Sequence, residues 1–127
     1  MYNPSDYVEI TEIEAYSNGG TSNLCEDKTV SASAAFSASW AAAMAVDGSS
    51  STTYVSSATS GAYFQVDLGD DYQISSIVFY NRGTNVRCIG MVISLLDANE
   101  AVICTETIAA SDAVQTFTGN LRVPYFI

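Results

Sequence analysis

The 127-residue chain predicts an all-β fold, an antiparallel β-sandwich of two sheets in the jelly-roll manner. Three observations predict it. Val, Ile, Thr, Tyr and Phe gather in short runs. Apolar and polar residues alternate within several of those runs. Clusters of Gly, Ser, Asn and Asp separate the runs at fairly even spacing, giving about eight strands in one domain over residues 1–127.

The first predicted strand is Tyr7 to Tyr16. Val8 and Ile10, then Ile13 and Ala15, alternate with polar residues but slip phase at Thr11 and Glu12, where a bulge is expected. Ser17 to Ser22 carries Gly19 and Gly20 and reads as a turn. Lys28 to Ser33 is a second strand. Ala34 to Ser60 is rich in Ala and Ser; four alanines and Met44 favour one helical turn over Trp40 to Val46, and the rest is loop. Tyr63 to Leu68 puts Phe64, Val66 and Leu68 on one face. Ile74 to Tyr80 is a dense β-branched and aromatic run, expected as a buried central strand. A polar loop, Arg82 to Arg87, follows. Met91 to Leu96 and Ala101 to Thr107 flank Asp97-Ala98-Asn99-Glu100, a hairpin turn by composition. Val114 to Phe117 and Arg122 to Ile127 complete the set.

Composition narrows the function. Fourteen acidic residues face only Lys28, Arg82, Arg87 and Arg122, a formal net charge of −10. That field repels phosphate backbones and anionic headgroups, so no nucleic-acid partner is expected. No apolar run is long enough to span a bilayer, so no membrane insertion is expected. The chain has no histidine, which removes the commonest general base and zinc ligand, and no carboxylate pair is identifiable as catalytic. A non-catalytic domain is expected. The cysteines Cys25, Cys88 and Cys104 are odd in number and match no zinc or redox spacing. Residues 1–20 carry Glu9, Glu12 and Glu14 where a signal peptide would be apolar.

Several segments, taken together, resemble one family. Asn23-Leu24 followed by Lys28-Thr29-Val30-Ser31-Ala32-Ser33 is similar to its opening strand. Ala45-Val46-Asp47-Gly48 with Thr52 and Tyr54 is similar to its A-x-D-G-x-x-x-T-x-W loop. Phe64-Gln65-Val66-Asp67-Leu68-Gly69 is similar to W-x-x-V-D-L-G. Tyr80-Asn81-Arg82 through Arg87 to Gly90 is similar to Y-N-R … R-x-x-G, and Leu95-Leu96-Asp97-Ala98-Asn99 to the hairpin that follows. The chain is identified as resembling the discoidin, or coagulation-factor V/VIII type C, domains, whose fold is galactose-binding-domain-like. The order is rotated. Tyr7 to Tyr16, with Thr11-Glu12-Ile13-Glu14, resembles the family's last strand but comes first, and Tyr125-Phe126-Ile127 resembles the strand before it. The break is expected in a loop joining Ile127 to Tyr2.

The resemblance implies a structural calcium. Its side-chain ligands would be Asp47, Glu12 and Thr52, with backbone carbonyls of Met44, Ser49 and Thr11. Calcium takes six to eight hard oxygens of this mixed kind. Gly48 permits the sharp turn after Asp47, and the acidic strand brings charge to meet it. The bland alternative is that Asp47 caps its own turn while Glu12 is solvated. The resemblance also implies a sugar site using Arg82 and Arg87 with Asn85 between them, and Trp40, Tyr54 and Tyr63 as stacking surfaces. The Arg82 to Arg87 interval is about two residues shorter than in the fucose-binding branch, whose adjacent cysteine pair is also missing. The alternative places Trp40 in the core and Arg87 on Asp67 or Asp70. Two functions follow. One is a carbohydrate-binding, adhesion-type module for a neutral glycan. The other is a structural subunit of a filament, coat or virion, a homo-oligomer through Tyr7 to Tyr16. That strand either pairs with a neighbouring subunit or folds back within its own chain, which the short turn at Ser17 to Ser22 favours. Either implies an extracellular or surface-exposed location.

Overall fold

The computed structural model describes residues 1–118 and 124–127. The described strands are β1 (Tyr2–Asn3), β2 (Glu9–Ile10), β3 (Glu12–Ser17), β4 (Thr29–Ala32), β5 (Tyr54–Val55), β6 (Ala62–Asp67), β7 (Ile74–Tyr80), β8 (Val92–Leu96), β9 (Val102–Thr107) and β10 (Val114–Thr118). They form a five-stranded sheet in the order β4-β6-β1-β8-β9, a three-stranded sheet β10-β7-β3 and a two-stranded sheet β2-β5. Every strand pairing is antiparallel. No helix among the described residues is long and apolar enough to cross a membrane.

Alternation dictates the core. On β6, Ala62, Phe64 and Val66 are buried while Tyr63 is exposed. On β7, Ile74, Ile77 and Phe79 are buried. These faces meet Ile93 and Leu95 of β8 and Ile13 and Ala15 of β3 in one apolar cluster. Burying such side chains stabilises by roughly 1.5–3 kcal/mol each, which outweighs the cost of ordering them.

Three expectations change in detail. The phase slip at Thr11 is a change of sheet, not a bulge. Glu9 and Ile10 pair with Val55 and Tyr54, whereas Glu12 onward pairs with β7 from Tyr80. The helical turn of the Ala/Ser segment is two short 3-10 turns, Ala38–Trp40 and Ala42–Ala45, parted by Ala41 in an extended conformation. The expected break in a loop falls instead within a strand position. Ile127 and Val66 exchange backbone hydrogen bonds at 2.8 and 3.1 Å. Met1 exchanges bonds with Phe64 farther along the same strand. Both chain ends therefore occupy the slot between β6 and β8, with Phe126 bridging Asp67 and Leu96. Of the expected strand Arg122 to Ile127, Arg122 and Val123 lie outside the described residues.

The strand offered for exchange pairs inside its own chain. β3 lies along β7 with Ile13 opposite Phe79 and Ala15 opposite Ile77. Its other edge is covered too: the Leu24 N–H donates to the Ala15 carbonyl at 2.8 Å, and the Ala15 N–H donates to Asn23 Oδ1 at 3.2 Å.

Candidate functional site

The change of sheet at Thr11 builds the cleft. Glu9 has to leave the three-stranded sheet to pair with β5, and its carboxylate ends up buried at 2% exposure. A buried carboxylate is costly unless it is paired and hydrogen-bonded. Here the Arg82–Arg87 loop supplies every partner. Arg82 Nη1 and Arg87 Nη1 each donate to Glu9 Oε1 at 3.1 Å, and Asn85 Nδ2 donates to Oε2 at 2.8 Å. Arg87 Nε also lies 3.8 Å from the Asp6 carboxylate.

The loop itself is held from beneath. The buried Asn81 amide donates to the carbonyls of Asn85 and Ser111 at 2.9 and 3.1 Å. The buried Asn3 amide donates to the carbonyls of Arg87 and Tyr7, both at 2.9 Å. The Arg82 guanidinium lies 4.6 Å from the centre of the Trp40 ring, and that of Arg87 lies 5.0 Å from the Tyr7 ring. Tyr7 meets Phe36 edge-on. Together Tyr7, Glu9, Phe36, Trp40, Val55, Arg82 and Arg87 line an open cleft of about 250 Å³. Both guanidiniums are fixed by a carboxylate on one side and an aromatic face on the other. Among the described residues each guanidinium, with five N–H donors, makes one hydrogen bond to the protein.

The sequence-derived set divides here. Arg82, Asn85, Arg87 and Trp40 converge on the cleft. Tyr54 does not: its ring is buried against Phe64 and its hydroxyl donates to the Ser33 carbonyl at 2.8 Å, so no face is open for stacking. Tyr63 is exposed on the five-stranded sheet, away from the cleft lining. Trp40 is half-buried beneath Arg82 instead of in the core, and Arg87 bonds Glu9 instead of Asp67 or Asp70. Glu9, Tyr7 and Phe36 were missed. Glu9 carried no signal of its own, since it holds the polar position between Val8 and Ile10 in an alternating strand.

A second, acidic cleft of about 230 Å³ is lined by Glu12, Glu14, Gly48, Ser49, Ser50 and Tyr80. Asp47 Oδ1 accepts from the Ser49 N–H at 2.9 Å, and the Thr52 hydroxyl donates to Asp47 Oδ2 at 2.7 Å. Asp47 thus caps its own turn. Glu12, however, is not solvated: it is 2% exposed. Its Oε1 accepts from the Gly48 N–H at 3.3 Å, and its buried Oε2 has no partner among the described residues. Burial pushes its carboxyl up to about 8, Asp47, Glu14 and Glu26 pushing the same way and the Gly48 N–H opposing. Thr11 Oγ1 is engaged with Thr53 Oγ1 at 3.0 Å. Among the described residues, no three His, Cys, Asp or Glu side chains converge as a metal cluster, so a cation here would rely on hydroxyl and carbonyl oxygens beside two carboxylates. All three cysteines are free.

The sequence model of a family described as "NedA-like, galactose-binding domain" matches residues 44–122. The chain belongs to this galactose-binding-like, coagulation-factor type C family. The match takes in Asp47, Thr52, Arg82, Asn85 and Arg87, and leaves Glu9, Glu12 and Trp40 on the strands and turns before it. No curated protein matches the chain. Solved structures share the fold. The lectin domain of lectinolysin, complexed with Lewis B antigen, is 22% identical with a TM-score of 0.67, over 84% of this chain and 82% of that one. A histidine mutant of the same domain, complexed with Lewis b, aligns equally well. A Streptococcus pneumoniae fucose-binding module, SpX-3, is 16% identical with a TM-score of 0.66, over 83% and 82%.

Proposed function

We propose that the domain is a non-catalytic, lectin-like module that binds a neutral glycan in the Arg82–Arg87 cleft. The observation that carries this reading is the pair of guanidiniums anchored on the buried Glu9 beside Trp40, Tyr7 and Phe36. Rigid, outward-facing N–H donors suit sugar hydroxyl and ring oxygens. The Trp40 and Tyr7 faces are already taken by the arginines, so the 61%-exposed Phe36 is the apolar wall for the carbon-bearing face of a sugar. Similar folds that bind Lewis b and fucose support a glycan ligand, and the complex of the histidine mutant supports binding without that histidine. Titration calorimetry against monosaccharides, preceded by a glycan array, tests the reading. Heat that Arg82→Ala abolishes supports it, and silence across a broad array refutes it. Action at a cell or matrix surface follows from a glycan ligand.

Within the same proposal a structural calcium is read at the edge of the acidic cleft, whose lining includes Glu12 and Ser49 of the expected ligands. Glu12 and Asp47 supply carboxylates, Thr52 an oxygen, and Met44, Ser49 and Thr11 their carbonyls. The unpartnered Glu12 Oε2 fits this role, because a hard cation satisfies a buried carboxylate oxygen that no donor reaches. The ion would tie the Asp47 turn to β3. A rise in melting temperature with calcium, reversed by a chelator, is the expected result. β3 pairs with β7 in its own chain, so the displaced strand lends the assembly reading no support.

A further inference from the structure

We propose that Glu9 sets the charge selectivity of the cleft, making two arginines a donor surface for neutral sugars and not an anion site. The inference rests on the glycan reading above. Two guanidiniums on one loop would ordinarily be a carboxylate or sulfate clamp, because their forked donors match such oxygens bidentately. Here their charges are already answered within the protein. Glu9 Oε1 is shared by both at 3.1 Å, and the exposed Asp6 stands 3.8 Å from Arg87 Nε. Two cations thus face one buried and one exposed anion, within a chain of net charge −10.

Glu9 lines the base of the cleft behind the arginines, so it acts through them. It is a positioning residue whose charge persists in the ligand's field. A ligand carboxylate arriving at the arginines would meet Glu9 at short range in a poorly screened setting. A neutral hydroxyl carries no charge for Glu9 to repel. Asn85 completes the arrangement by holding Oε2 at 2.8 Å, which disfavours a swing of the carboxylate away from the arginines.

The test substitutes Glu9→Gln, which keeps the shape and one acceptor oxygen while removing the charge. Calorimetry compares methyl β-galactoside and methyl α-fucoside with galacturonate, and with inorganic sulfate, for wild type and variant. In the wild type the neutral glycosides bind more tightly than galacturonate. In the variant the neutral-to-anion affinity ratio falls by about ten-fold or more, and the gained anion binding weakens with added salt. An unchanged ratio in a folded Glu9→Gln variant overturns the proposal. If that variant does not fold, Asp6→Asn decides. Asp6 is partly exposed, and its loss moves the ratio in the same direction by a smaller factor; no movement refutes the proposal. If wild type binds no sugar, the glycan reading fails by itself. Sulfate then tests the charge argument separately: tighter sulfate binding by the variant upholds it, and equal binding overturns it.

Discussion

Replacing Glu12 by Gln isolates the least comfortable group in the fold. The Glu12 carboxyl is raised from 4.5 to about 8, chiefly by burial. Between those two values the metal-free native state keeps a proton that the unfolded chain has released. Stability from this group is therefore complete at low pH and is lost as pH rises, by up to about 1.4 kcal/mol per pH step. Because the carboxyl borders a cleft that water can enter, the loss across the window should be on the order of 2 to 3 kcal/mol. The Met1 ammonium complicates the raw curve. Burial lowers it from 8.0 to about 5, so the unfolded state holds the extra proton there and its slope has the opposite sign. The quantity to read is thus the difference between wild type and Glu12→Gln, from urea unfolding in chelator at several pH values. The variant should be the more stable near pH 8, with the advantage vanishing near pH 5. With calcium the order should reverse, since the variant lacks the charged ligand. A difference that stays flat with pH would show that Glu12 is effectively solvated and that the physical case for a cation beside it is wrong.

Tyr54→Phe should cost about 1 to 2 kcal/mol in urea unfolding, because it leaves the Ser33 carbonyl unpaired, while sugar affinity stays at the wild-type value; lost affinity at unchanged stability would return Tyr54 to the site. Gly48→Ala should destabilise by about 1 to 2 kcal/mol, as Gly48 sits at φ +74° with Glu26 Oε1 3.2 Å from the position of the new Cβ. An unchanged melting temperature would refute the strained turn. Thiol titration of the native protein should modify Cys104 first, since Cys25 and Cys88 are buried and burial pushes the Cys25 thiol up to about 12; rapid reaction at Cys25 would contradict the packing.

The fold class, most strand positions and the loop that carries the arginines are legible in the order of residues alone. Period-two burial on β6 and β7 is written in Phe64, Val66, Ile77 and Phe79, and the Asp97 turn in its composition, since both depend on near neighbours along the chain. What those elements meet is set by packing between distant segments. Glu9 and Glu12 look alike in sequence, two acids three positions apart on one predicted strand. The change of sheet at Thr11 sends one beneath two arginines and the other against the Asp47–Gly48 turn, and that divergence depends on β5 and β7, which lie about 45 and 70 residues away. For the same reason Tyr54 passed for a binding aromatic, because whether its face is open is settled by Phe64 and Ser33 across the sandwich.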